Sequence, residues 1–461
     1  MDYNPLREED LKRLRSMIDP ERISTGESNR AIHSKDQSGH NACLPDVVIW
    51  PKSPEEVSDI MRYANAGRIP VTAWGAGSSV EGNPIPVMGG IVLDFSEMNR
   101  IINIREEDFQ ADVEPGVIYQ DLNDSLRHKG LFFPPDPGAR ATIGGMIGNN
   151  ASGTRTLHYG STRRNILRLS IVLADGEIIK TGTRSSKTSS GYDLINLFIG
   201  SEGTLGIVTE ATVRLVGLPA EFSTAVISFP SIEAAGRAVY EIIRSGLDPA
   251  MLELLGPECV ELINRNMELD AIIAPALFIE YHGPSKAYLA ELLEITENIC
   301  ENKGSMEIKR GIARDEREKL LKARHGLAEM MMRAHPESSH CVIDVAVPIT
   351  AYPEMITMAK NERNSSGIPA YIFSHAGDGN LHITFQLKKV DKKEQAVFEG
   401  INQRIVSKAL SLGGTATGEH GVGIGKRKFM GAEHGASLEL MRKIKKMLDP
   451  GAILNPGKMF L

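Results

Sequence analysis

Pro134-Pro135-Asp136-Pro137, followed by Ala141-Thr142-Ile143-Gly144-Gly145-Met146-Ile147-Gly148-Asn149-Asn150-Ala151-Ser152-Gly153, is the stretch on which the fold turns. Side chains this small over such a length cannot build a hydrophobic core. They do let a large flat ligand lie against the backbone, with Thr142, Asn149 and Ser152 offering hydrogen bonds to its polar edges. Upstream stands a second glycine-rich turn, Trp74-Gly75-Ala76-Gly77-Ser78-Ser79-Val80-Glu81-Gly82. Glycine lacks a Cβ and permits unusual dihedrals, so successive N–H groups there can converge on a phosphate. The turn does not continue as Gly-x-Gly-x-x-Gly into a long helix, which disfavours the nicotinamide-type dinucleotide fold. Taken alone, it reads equally well as a hairpin between strands.

The flanking segments show regular patterning. Residues 45–50 form a short strand pattern, and Ser53-Pro54-Glu55-Glu56 combines a Ser N-cap, a first-turn Pro and a Glu completing a capping box. The helix runs to Gly67 with Val57, Ile60, Met61 and Ala64 on one face, and residues 69–72 follow as the next strand. Residues 166–173, 178–180 and 206–215 read as further strands, the last entered through the turn 200–206. From about Pro219 the pattern changes to apolar strands at 224–229 and 276–281 alternating with helices at 231–245 and 286–302, an α+β arrangement with an antiparallel sheet. Residues 1–40 are a polar leader with one helical pattern over 6–18, expected to pack on the first domain.

A chain of 461 residues exceeds what one hydrophobic core serves, so two domains are the default. Its net charge of -7 argues against a nucleic-acid partner, and small molecules are the expected ligands. No stretch suits a signal peptide or a transmembrane segment, which places the chain in the cytoplasm. Cys43, Cys259, Cys300 and Cys341 form no Cys-x-x-Cys pair, so neither an iron-sulfur cluster nor a disulfide framework is indicated. Electron relay beyond a bound cofactor must then come from another protein.

Chemistry is concentrated near the end, in His375-Ala-Gly-Asp-Gly-Asn-Leu-His382 and Gly418-Glu419-His420-Gly421. Two imidazoles and a carboxylate suit a divalent zinc, iron or manganese ion, and three protein ligands leave coordination positions free for a substrate. Residues 376–380 cannot continue a strand, so a turn there can bring His375 and His382 together, with His420 as a spare base beside Glu419. The other reading of the same residues is two hydrogen-bonded histidines flanking a tight loop, with Glu419 capping the next turn.

Read in order, residues 70–82, 113–117, 134–160, 200–215, 374–382, 417–426 and 448–458 resemble the vanillyl-alcohol-oxidase (PCMH) superfamily over nearly the whole chain. More narrowly, they resemble its group of D-lactate dehydrogenases (cytochrome) and glycolate oxidase flavin subunits. The resemblance implies an α+β chain: a two-subdomain PCMH-type FAD-binding domain over 41–218, a substrate cap domain with an antiparallel sheet over 219–445, and a tail over 446–461 that returns to the FAD domain. It carries the FAD pyrophosphate onto Gly75, Gly77, Ser78, Ser79 and Gly82, where many relatives have Arg in place of Trp74. Flavin and ribityl contacts fall on Pro135, Thr142, Gly145, Gly148, Asn149, Ser152 and Gly153, with Glu202, Ile207 and Val208 near the adenine and Asn455 in the tail. The turn 75–82 holds no His or Cys for a covalent tether, so FAD is expected to be non-covalent.

The same resemblance makes His375, His382 and Glu419 the metal ligands for Zn, Mn or Fe, and gives Arg324 the substrate carboxylate. On residue pattern alone Arg324 is one more solvated side chain on a charged helix. The implied reaction is oxidation of a small D-2-hydroxy acid, D-lactate first, by deprotonation at His420 and hydride transfer from Cα to flavin N5. Electrons would pass to a separate quinone, cytochrome, electron-transferring flavoprotein or iron-sulfur protein, with peripheral membrane attachment through that partner. A homo-oligomer is compatible with the sequence. Glycolate and D-2-hydroxyglutarate are the alternative substrates, although Cys341-Val342-Ile343 lacks the Lys that 2-hydroxyglutarate enzymes commonly place before Asp-Val-x-x-Pro. A catalytically inactive flavoprotein subunit of an electron-transfer complex is the alternative of another class.

Overall fold

The computed structural model describes residues 3–267, 270–311, 314–389 and 391–460. Its first sheet contains β1 (Ile23–Ser24), β2 (Val47–Ile49), β3 (Val71–Trp74) and β4 (Ile91–Asp94) in the order β1-β2-β4-β3, with β2 and β3 both parallel to β4. The crossover helix Pro54–Gly67 starts where the Ser53 side chain accepts the Glu56 N–H, and it buries Val57, Ile60, Met61 and Ala64. The expected capping box does not close. Glu56 instead accepts the Lys52 N–H and forks onto Arg22 at 2.6 and 2.7 Å, because a bidentate charge pair outweighs one neutral N–H. The next strand begins at Val71 rather than at Ile69. The Ile69 N–H still bonds back to Ala64, and Pro70 has no N–H to give. The leader does more than cover the surface: Leu11, Leu14 and Ile18 enter this sheet's core, and β1 extends the sheet itself.

The second sheet follows with β5 (Ile101–Arg105) and β6 (Gln110–Val113). After the short β7 (Leu131–Phe132) come β8 (Ile166–Val172), β9 (Ile178–Gly182) and β10 (Ile207–Arg214). Their antiparallel order is β5-β6-β10-β8-β9, while β7 pairs with β11 (Val216–Gly217). A separate core, including Val113, Leu122, Ile143, Ile171 and Val213, marks this half as a second subdomain.

The cap sheet is built from β12 (Glu221–Ser228), β13 (Met251–Leu255), β14 (Ala276–Gly283), β15 (Glu307–Gly311), β16 (Ser338–Ala346), β17 (Ala370–His375) and β18 (Asn380–Lys388). These strands form a seven-stranded sheet in the order β15-β12-β14-β13-β17-β18-β16, antiparallel at each described pairing. Strand alternation decides what each face presents. Leu252, Leu254, Ile343, Val345, Ile372, Ile383 and Phe385 enter the core beneath the helices Ile232–Arg244, Tyr352–Ser366 and Lys392–Ser411. Their neighbours Glu253, Asp344, Phe373, His375 and His382 therefore share the opposite face. Register completes the grouping, since His382 lies across from both Asp344 and Phe373, and His375 across from Glu253.

Residues 453–455 run beside β3. The Val71 N–H donates to Ile453 O and the Asn455 N–H to Val71 O, each at 2.8 Å. No helix among the described residues is long and apolar enough to cross a membrane.

Candidate functional site

A cavity of about 780 Å³ lies between the polar face of the cap sheet and the glycine-rich loops. Gly75, Gly77, Ser78, Ser79, Thr142, Gly145, Gly148, Asn149, Ser152, Glu202, Ile207, Val208 and Asn455 line it from one side. Arg324, His375, His382, Glu419 and His420 line it from the other. Thr142 Oγ1 accepts the Gly145 N–H at 3.1 Å and starts the helix Ile143–Asn149. A Cβ at Gly75 would sit 2.4 Å from that hydroxyl, so only glycine lets the first turn approach the second loop this closely.

Gly82, Pro135 and Gly153 do not line the cavity. The Gly82 N–H is held by Asp36 at 2.8 Å. Gly153 has φ +132° and packs on the Asp136 carbonyl, where any Cβ would collide at 1.8 Å.

Several expected flavin contacts also tie the two domains together. Ser152 Oγ donates to Glu419 Oε2 at 3.0 Å, and Asn149 Nδ2 to the His420 carbonyl at 3.3 Å. Asn455 Nδ2 donates to the carbonyls of Asn83 and Glu202. The Glu202 carboxylate accepts the N–H groups of Val422 and Gly423 at 2.6 and 2.9 Å, while burial raises its pKa against their pull. Glu202→Gln can accept from only one of these N–H groups and turns an amide donor on the other. The expected loss is about 2–3 kcal/mol of stability, read from the denaturation midpoint.

A turn follows His375, the last residue of β17, as the sequence implied, but it is shorter than expected: Asn380 already opens β18, and His382 is that strand's third residue. Glu419 Oε1 lies 3.2 Å from His375 Nε2 and 3.1 Å from His382 Nε2. The His382 ring is stacked between Phe373 and His420, each with centroids 5.1 Å away. It is 1% exposed, yet neither ring nitrogen makes an aligned hydrogen bond among the described residues: Nε2 has only the close approach of Glu419 Oε1. Buried nitrogens are rarely left so, and a divalent cation held by His375, His382 and Glu419 would satisfy Nε2. Burial would raise the Glu419 carboxyl, but His375 and His382 hold it well below its ordinary range, leaving a charged ligand.

Two carboxylates were not singled out by sequence reasoning. Asp344 accepts from Asn380 Nδ2, Thr417 Oγ1 and the N–H groups of Glu419 and His420. It lies close enough to His382 and His420 to form a second possible cation set. With so many donors already on its two oxygens, it anchors the 417–420 loop instead. Glu253, 1% exposed, accepts from Arg324 Nε at 2.6 Å and from His375 Nδ1 at 2.7 Å. A lone acid inside Met251-Leu252-Glu253-Leu254-Leu255 was the available signal, because such a residue stays buried only when paired. Arg324 is itself 9% exposed, with its guanidinium over the Phe373 ring, and so is not a solvated helix side chain.

Comparison with known proteins agrees with this architecture. Residues 45–182 match the FAD binding domain family, and residues 218–459 match the family of FAD linked oxidases, C-terminal domain. The chain is 39% identical to a Danio rerio protein described as a probable mitochondrial D-lactate dehydrogenase, covering 96% of this chain and 90% of that one. It is 35% identical to the Arabidopsis thaliana mitochondrial D-lactate dehydrogenase (cytochrome), with coverage of 99% and 81%. Identity to glycolate oxidase subunit GlcD of Bacillus subtilis is 37%, with coverage of 96% and 94%. Among solved structures, 4-ethylphenol oxidase from Gulosibacter chungangensis superposes with a TM-score of 0.80 at 19% identity, covering 98% of this chain and 96% of that one. With both domains matched in order and a relative at 39% identity covered over 90% of its length, the chain belongs to the FAD-linked oxidases, on the PCMH-type FAD-binding fold.

Proposed function

We propose that this protein is an FAD- and divalent-metal-dependent D-2-hydroxyacid dehydrogenase that oxidises D-lactate to pyruvate and passes the electrons to a separate acceptor. The observation that carries this reading is the opening of the His375, His382 and Glu419 cluster onto the same cavity as the glycine-rich FAD-domain loops. Bound FAD would supply the hydride acceptor at N5, and bound Zn or Mn would supply Lewis acidity at the substrate hydroxyl.

The chain's own residues do the rest. Arg324, fixed through Nε to Glu253, turns its remaining donors to the substrate carboxylate and sets which Cα hydrogen faces the flavin. His420 accepts the hydroxyl proton. Leu327, Met331, Val342 and Phe373 give the cavity an apolar wall, which suits a methyl group better than the distal carboxylate of 2-hydroxyglutarate. A cytochrome is the favoured acceptor, in line with the description of the Arabidopsis relative.

Anaerobic mixing of the purified flavoprotein with D-lactate, L-lactate, glycolate and D-2-hydroxyglutarate tests the reading. D-lactate should bleach the flavin fastest and L-lactate should leave it oxidised. Faster bleaching by glycolate or 2-hydroxyglutarate would reassign the substrate. Bleaching by none would turn the reading to an inactive flavoprotein subunit.

A further inference from the structure

Glu253 sits at the centre of the cap sheet and touches both halves of the substrate grip. Its Oε2 takes Arg324 Nε at 2.6 Å, and its Oε1 takes His375 Nδ1 at 2.7 Å. Nothing else about β13 calls for a carboxylate. The strand's other side chains, Met251, Leu252, Leu254 and Leu255, are all buried in apolar cores. An ionised acid in such a place is costly unless each oxygen is matched, and here each is.

We infer that Glu253 is a positioning residue that couples metal retention to substrate-carboxylate binding, an inference that rests on the proposed function. Two effects follow from one side chain. By accepting the Nδ1 proton of His375, it fixes the ring orientation in which Nε2 faces Glu419, so that once the Nε2 proton leaves its lone pair is aimed where a metal ligand needs it. By accepting Nε of Arg324, it fixes the plane of the guanidinium over Phe373, so that the terminal nitrogens present one edge to the cavity. Both partners hang from the same carboxylate, so a shift of Glu253 moves the metal site and the carboxylate site together. His375 and Arg324 come from segments far apart in sequence, and Glu253 is the shared contact that sets their spacing.

The test uses flavin-loaded, metal-stripped protein titrated with Mn(II) in a calorimeter, alongside the KM for D-lactate after reloading. Glu253→Gln keeps the shape but cannot accept at both positions. It should weaken Mn(II) binding about 10–100-fold and also raise KM. Arg324→Gln should raise KM and, because it frees one oxygen of Glu253, also shift the Mn(II) affinity, though by less than Glu253→Gln does. Loss of both properties together in Glu253→Gln supports the coupling; loss of neither, or of one alone, overturns it. Should Glu253→Gln fail to accumulate as a flavoprotein, Glu253→Asp is read by the same two measurements and the same criterion. If the parent protein itself takes up no Mn(II), the proposed metal site fails, a result distinct from a parent that binds and a variant that binds equally well.

Discussion

His382→Ala is expected to yield a yellow protein that has lost its metal and nearly all turnover. Only His375 and Glu419 would remain, and two ligands on a largely buried site do not retain a catalytic cation. The glycine-rich loops belong to separate elements with their own cores, so flavin should stay bound. A Lewis acid that lowers a hydroxyl pKa is worth several kcal/mol at the transition state, so kcat should fall by at least about 10³-fold. Metal analysis, flavin absorbance and turnover on one preparation decide it: full turnover in the variant or in metal-free parent protein would remove the metal from the mechanism. The same site predicts a pH dependence. In the metal-free protein burial works to lower the His375 pKa, but Glu253 and Glu419 outweigh it and push it up to about 10. Below that pH a proton must leave before the nitrogen can bind a metal. Metal affinity should therefore rise with pH, by about tenfold per unit up to that value, with a proton released on uptake.

His420→Ala is expected to keep both cofactors and to slow flavin reduction by about 10²–10⁴-fold, the usual worth of a positioned general base. Burial lowers this imidazole below its ordinary value, against the pull of Asp344, so it is neutral and ready to accept a proton at physiological pH. Its backbone N–H is held by Asp344 and its carbonyl by Asn149, contacts that survive loss of the ring. Anaerobic stopped flow with D-lactate reads the effect. An unchanged reduction rate would assign proton removal elsewhere.

Much of this arrangement could be read from the residues in order. The spacing 375–382 predicted the turn that joins two histidines, and the small-residue run predicted a wall rather than a core. What could not be read is pairing across strands. His375 meets Glu253 only because β13 and β17 are neighbours in a particular register, a relation set by the whole sheet. Arg324 illustrates the same gap: its helix is highly charged, and only the buried carboxylate opposite turns one of those charges inward. Ser152 was legible as a polar residue at a ligand wall, but its donation to Glu419 depends on how the domains meet. The closed capping box failed for a similar reason, since Arg22 arrives from the leader.

The strand-like run at 453–455 has a consequence for how the chain matures. Asn455 closes on Asn83 across 372 positions, and β3 lacks its outer neighbour until that run has left the ribosome. Contacts of such high sequence separation form late and slowly. The nascent flavin half therefore keeps the outer edge of β3 uncovered through synthesis of the entire cap, an open template for mispairing that the returning tail finally closes.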